Sequence, residues 1–131
     1  MHTTELTEQN FESIIKKDGI VFVDFWASWC GPCRAFAPVF EKAAEKNTDI
    51  VFGKVNTEEQ PELAGAFNVS AIPTLMIYRD GLPLFSQAGA LPASALDDLI
   101  RQVRALDMND VRKEYAEMER KHRDEHPQAV A

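Results

Sequence analysis

Val21-Phe22-Val23-Asp24-Phe25-Trp26-Ala27-Ser28-Trp29-Cys30-Gly31-Pro32-Cys33 is an apolar run with one carboxylate that passes through two tryptophans into the only two cysteines of the chain. Ile20 to Trp26 has Val, Phe and Ile on both parities, the pattern of a strand covered on both faces, and it is expected at the centre of a sheet. From Gly31 the apolar spacing turns helical, with Phe36, Val39, Phe40, Ala43 and Ala44 forming a stripe up to about Asn47. Pro38 lies inside that helix, where it removes a backbone hydrogen bond and should kink the axis. The reading places a thiol pair at a helix N-terminus.

A chain of 131 residues has material for one ordinary hydrophobic core and too little for two. Its 45% apolar and 27% charged residues are those of a globular protein and argue against disorder, collagen-like repeats or a disulfide-stapled miniature. A formal charge of -7 argues against nucleic acid and anionic membrane surfaces as partners, because both require clustered Lys and Arg. No stretch approaches the roughly 18 consecutive apolar residues of a membrane span, and Met1 to Asn10 lacks the architecture of a signal peptide. A cytoplasmic location is therefore expected. Two cysteines spaced CxxC in such a chain are redox-active or metal-binding more often than a structural staple.

Outward from the central run, His2 to Leu6 reads as an edge strand, and Thr7 as the cap of a helix through Phe11, Ile14 and Ile15 that ends before Asp18-Gly19. Ile50 to Asn56 reads as a second interior strand, and Pro61 opens a short helix through Phe67. The alternation βαβα implies parallel strands. After Ile72-Pro73 the pattern changes: Thr74 to Tyr78 is a strand, Asp80-Gly81 a hairpin turn, and Leu82 to Gln87 returns antiparallel. Gly89 breaks the chain before a helix with Leu91, Leu96, Leu99, Ile100, Val103 and Leu106 on one face. The fold class is α/β, a central mixed sheet of parallel and antiparallel strands flanked by helices, over residues 1–107.

Residues 108–131 are expected to form a C-terminal helical extension. Asp107 to Asp110 favours a cap, Val111 to Glu125 is densely charged, and Val111, Tyr115 and Met118 make a narrow apolar stripe. Glu117 with Lys121 and Glu119 with Arg123 have the favourable i, i+4 order. The helix is expected to end near His126-Pro127 and to fray beyond. The competing reading is one long helix continuing from Leu106.

A thiol attacks a disulfide only as the thiolate, and the unpaired N–H groups at the start of a helix favour negative charge at Cys30. Cys30 is therefore the candidate nucleophile, and Cys33, one turn further on, the candidate resolving thiol. Gly31 and Pro32 supply a tight turn with Pro at a permitted first-turn position. Asp24, desolvated in its strand, should titrate well above its solution value and accept the proton of Cys33. Lys54, on the neighbouring strand, is the candidate to moderate it. The bland alternative for the cysteines is a pair of buried small hydrophobes or an inert disulfide. His122 and His126 with the two cysteines satisfy a Cys2His2 ligand count, but their separation is far longer than that of a zinc finger, so no metal site is expected.

The run Val23 to Cys33 resembles the active-site signature of thioredoxins, and Pro38, Lys54-Val55-Asn56, Ile72-Pro73-Thr74, Asp80-Gly81 and Gly89-Ala90-Leu91 match in order. The resemblance covers about Leu6 to Leu106. It implies the thioredoxin fold and a protein-disulfide reductase and electron carrier with no bound cofactor, a monomer. Its implied partners are disulfide-containing target proteins and a flavin-dependent thioredoxin reductase that draws electrons from NADPH. It further implies a cis bond before Pro73, strand-like recognition of the target by Ile72, and an uncharged docking surface of Trp29, Gly31, Pro32, Ile72, Pro73, Gly89 and Ala90. The Gly-Pro pair lacks the His found between the cysteines of oxidants and isomerases of this fold, which favours a reductant. The alternative is a thioredoxin-fold interaction or chaperone module that recruits a partner through its C-terminal helix.

Overall fold

The elements along the chain are β1 (Thr3–Glu5), α1 (Phe11–Ile15), β2 (Ile20–Trp26), α2 (Gly31–Lys46), β3 (Val51–Asn56), α3 (Pro61–Ala66), β4 (Thr74–Arg79), β5 (Leu82–Ala88), α4 (Ala93–Ala105) and α5 (Met108–Glu125). The computed structural model describes residues 2–125. It divides into two units, Met1–Ile100 and Arg101–Ala131.

The first unit is built on one five-stranded sheet in the order β1-β3-β2-β4-β5. β1 and β2 both run parallel to β3, β4 lies antiparallel to β2, and β5 antiparallel to β4. The mixed sheet and the central place of β2 are those expected from the sequence. Asp80 and Gly81 close the β4–β5 hairpin with φ of 53° and 82°, the left-handed pair that a tight primed turn requires.

Side chains alternate along β2, so its two faces can be assigned from their neighbours. Val21, Val23 and Phe25 pack with Phe11 and Ile15 of α1, Leu63 of α3 and Val55 of β3. On the opposite face the Phe22 ring lies 5.4 Å from that of Phe52, which meets Phe40 of α2 edge-on at 5.2 Å. Phe36 continues the stack at 5.8 Å from Phe40. Edge-to-face and tilted ring pairs of this kind add to the area they bury, which is why α2 seats firmly on this face. Asp24 falls on the same side as Phe22 and therefore beneath α2.

Four expectations need adjustment. Thr7 does not cap α1: its N–H donates to Asn10 Oδ1 at 2.7 Å, its carbonyl receives the Phe11 N–H, and the helix starts three residues later. A competing side-chain bond shortened the helix. α4 ends at Ala105, so Leu106 leaves the helical stripe and is 38% exposed. Within the second unit the single-helix alternative fails because Asp107 Oδ1 accepts the N–H groups of Asn109 and Asp110 at 2.9 and 3.4 Å, the mark of a new N-cap. In α5, Met108 is buried and Val111 and Tyr115 half-buried, while Met118 is 57% exposed and drops out of the stripe. Glu117 receives a hydrogen bond from Arg120 at 2.9 Å, an i, i+3 pair. His126, and the helix end and frayed tail expected around and beyond it, lie outside the described residues.

Gly53 shows how tightly β1 seals the edge of β3. A Cβ there would stand 2.7 Å from Cγ of Leu6, which is itself fully buried and has no room to yield. Gly53→Ala is expected to destabilise the fold by about 1–3 kcal/mol through overpacking. Gly65→Ala, with nothing within 4 Å of the added carbon and a helical setting, is expected to be neutral or stabilising by up to about 1 kcal/mol. Urea unfolding of the two variants checks both; equal midpoints would refute the close-packing argument.

Candidate active site

β2 leaves the sheet at Trp26, and four residues later α2 begins, with Cys30 as its N-cap in an extended backbone conformation (φ -87°, ψ 114°). Cys30 Sγ accepts the Cys33 N–H at 3.2 Å, the bond that a Ser or Asp oxygen makes at other helix starts. The sequence produces this locally because Pro32, which has no N–H to lose, occupies the first turn. Cys30 and Cys33 are joined as a disulfide with their Cα atoms 5.2 Å apart. Both residues are buried and form, with Ala27, a small cluster against which Trp26 and Ile72 pack.

The second feature is Asp24. It is 0% exposed, and neither carboxylate oxygen has a hydrogen-bond partner among the described residues. Burial pushes its carboxyl up to about 7, against the opposing pull of the Lys54 ammonium. Asp24 stands opposite Lys54 in the β2–β3 register and opposite Leu75 in the β2–β4 register. It shares its face of β2 with Trp26, so the acid lies on the side of the sheet that carries the cysteine cluster. Lys54 is half-buried at mid-strand, and its Nζ sits 4.9 Å from the centre of the Trp26 ring. A groove of about 340 Å³ lined by Thr3, Glu5, Trp26, Lys54, Asn56 and Glu59 opens beside it.

The third feature is the segment that enters β4. The Ile72–Pro73 bond is cis, and Cys30 Sγ lies 3.7 Å from the Ile72 carbonyl oxygen. Thr74 Oγ1 donates back to the Ala71 carbonyl at 2.5 Å, and the Gly89 N–H donates to the Pro73 carbonyl at 2.8 Å. Gly89 has φ of 109°, a conformation that favours glycine. Cys30, Ile72, Pro73 and Gly89 are thereby linked through direct contacts. Trp29 is 68% exposed, Gly31, Pro32, Gly89 and Ala90 are exposed, Ile72 is half-buried, and Pro73 is buried beneath its neighbours.

Contacts of Ser28 with Glu58 and Arg34, described below, carry no sequence signal; the residues are 30 and 6 positions apart. Among the described residues no group of three or more His, Cys, Asp or Glu is placed to hold a metal ion. None of the described helices is long and apolar enough to cross a membrane.

Comparison with known proteins agrees with this geometry. The thioredoxin family model matches residues 2–102. A putative thioredoxin 2 of Streptomyces coelicolor is 58% identical over 117 residues, 89% of this chain and 87% of that protein. A thioredoxin of Alicyclobacillus acidocaldarius is 41% identical over 102 residues, 77% of this chain and 97% of its own. Among solved structures, a thioredoxin of Plasmodium falciparum superposes with a TM-score of 0.70 at 37% identity, covering 76% of this chain and 98% of that one. With a dithiol pair at disulfide distance on a helix N-terminus, the chain belongs to the thioredoxin family and is a protein-disulfide oxidoreductase that works by dithiol–disulfide exchange at Cys30 and Cys33.

Proposed function

We propose that the chain acts as a reductant of protein disulfides, with Cys30 as nucleophile and Cys33 as resolving thiol. The observation that carries this order is the N-cap position of Cys30, whose sulfur faces the Cys33 N–H and the positive end of the α2 dipole. Cys30 thiolate attacks one sulfur of the target disulfide and expels the other as a thiolate, leaving a mixed disulfide. Asp24 carboxylate takes the proton of the Cys33 thiol. The Cys33 thiolate then attacks Cys30 Sγ, releases the second target thiol and closes the Cys30–Cys33 disulfide. Two electrons pass to the target, and a thioredoxin reductase returns them from NADPH.

Asp24 suits the proton step because a carboxyl near 7 exchanges a proton readily at neutral pH. Lys54 favours the ionised acid and keeps its proton affinity from climbing further. Ile72 and Pro73 present the backbone against which an extended target segment would lie, with Trp29, Gly31, Pro32, Gly89 and Ala90 as the surrounding uncharged surface. The domain of residues 1–107 suffices for this reaction, 108–131 being an extension to it. A cytoplasmic setting, where a reductase and NADPH are present, suits the chemistry.

Removing the nucleophile tests the order of attack. With NADPH and a thioredoxin reductase, wild type is expected to reduce insulin, Cys30→Ser to lose at least roughly a thousandfold in rate, and Cys33→Ser to accumulate a mixed disulfide visible by mass spectrometry. Trapping through Cys33 in place of Cys30 would reverse the assignment. Deletion of 108–131 should leave insulin reduction and the monomeric state unchanged.

The buried acid makes a separate prediction. Between its ordinary value of 3.8 and its folded value of about 7, folded Asp24 holds a proton that the unfolded chain has released. Its contribution to stability therefore falls as pH rises through that window and is level above it, by about 4 kcal/mol in all. Asp24→Asn, a neutral mimic of the protonated acid, is expected to be more stable than wild type by roughly 2–4 kcal/mol at pH 8 and by little at pH 4. Urea titrations across that range read the difference, and a gap independent of pH would remove the raised acid. The same variant should slow resolution of the mixed disulfide.

A further inference from the structure

The loop between β2 and α2 has no regular structure, yet it presents Trp29, 68% exposed, directly before Cys30. Ser28, the residue before Trp29, is held by two charged side chains from separate elements. Its N–H and its Oγ–H both donate to Glu58 Oε1, at 3.1 and 2.8 Å. Its carbonyl accepts from Arg34 Nη1 at 3.0 Å. Every hydrogen-bonding group of this exposed serine is thus engaged by protein.

The two clamping residues stand on rigid mounts. Glu58 lies in the turn after β3, where the Thr57 N–H and Oγ1–H both donate to the Trp26 carbonyl at 2.8 and 3.0 Å. The Glu58 N–H donates to Asn56 Oδ1 at 3.0 Å, and Asn56 Nδ2 donates to Glu59 Oε1 at 2.9 Å. Arg34 is fixed in the first turn of α2, its N–H donating to the Cys30 carbonyl at 3.1 Å. The end of β2, the exit of β3 and the start of α2 are therefore stitched together at one residue, beside Trp29. An isolated exposed ion pair contributes little, but a carboxylate that accepts two bonds from one residue on a preorganised turn defines a geometry.

We infer that Glu58 and Arg34 are positioning residues for target binding: by clamping Ser28 they fix the orientation in which Trp29 meets the polypeptide that carries the target disulfide. The inference rests on the reductant reading above. Both residues act through Ser28 and touch no reacting atom. Their loss raises the KM for a protein target more than it lowers the rate of exchange at Cys30.

The test compares reduction of insulin with reduction of a small aromatic disulfide, which exposes the chemistry without an extended docking segment. Glu58→Ala is expected to raise the KM for insulin roughly five- to tenfold with kcat changed less than twofold, and to slow the small disulfide far less. Arg34→Met, which keeps the aliphatic stem, should show the same split. Glu58→Gln retains a carbonyl that accepts both Ser28 donors and should recover at least half of the loss. An unchanged KM in both Glu58→Ala and Arg34→Met, or equal losses on the two substrates, overturns the inference and leaves the reductant reading intact. Failure of Glu58→Gln to recover KM overturns it also. A wild type inert towards insulin instead sinks the reductant reading, and this inference with it.

Discussion

Cys30 is at once the last residue of a loop and the first cap of a helix, and the structure depends on that double position. The Cys33 N–H reaches Cys30 Sγ at 3.2 Å, so the sulfur occupies the place where a helix start seeks an acceptor. A thiolate there receives a hydrogen bond and the favourable end of the α2 dipole. That effect requires α2 to be anchored, and the anchoring comes from the middle of the helix. Phe40 meets Phe52 edge-on, Phe52 pairs with Phe22 of β2, and Phe36 packs on Phe40, so the cap is held where β2 delivers it.

The same face of the sheet bears a standing cost. Asp24 is enclosed with neither oxygen hydrogen-bonded among the described residues, an arrangement that stability alone would not favour. Its neighbours Val23 and Phe25 point to the opposite core, and Phe22 stacks two residues away, so the strand is otherwise built for burial. A protein that keeps an unpaired acid in such a strand trades stability for a group that ionises near neutrality. Lys54 tempers the cost by attraction across the β2–β3 register, and its position over the Trp26 ring holds the ammonium near the sheet instead of in open water.

Much of this was legible in the chain itself, for physical reasons that differ by element. β2 announced itself because a strand buried on both faces needs apolar residues at both parities, which leaves a lone acid conspicuous. The thiol pair and Pro32 marked a helix start because few residue types tolerate those positions. The hairpin followed from Asp80-Gly81, a pair suited to left-handed φ. The reading failed where a local side chain competed with the backbone, because Asn10 took the Thr7 N–H; at Asp107 the cap expected from the run of poor helix formers restarts the chain as a separate helix. That Pro73 is buried, with its carbonyl accepting the Gly89 N–H, has no signature in the sequence. The clamp on Ser28 was invisible, because hydrogen bonds between residues brought together only by the sheet leave no periodic trace.

The antiparallel strands explain why such a site needs a mixed sheet. In a wholly parallel sheet the ends beside the C-terminal end of β2 would all be C-terminal ends, leading onward into crossover connections. Here β4 runs the other way, and its pairing of Thr74 with Phe25 brings the entrance of β4 to the exit of β2. The peptide before Thr74, the cis Ile72–Pro73 unit, is thereby placed against Cys30 Sγ, while Ala88, the last residue of β5, pairs with Thr74 and carries Gly89 to the same edge. Three segments distant in sequence converge at one end of the sheet because β4 alone runs against the other four strands. Cysteines at a helix start supply the chemistry, and the reversal of β4 supplies the surface on which a second polypeptide could meet them.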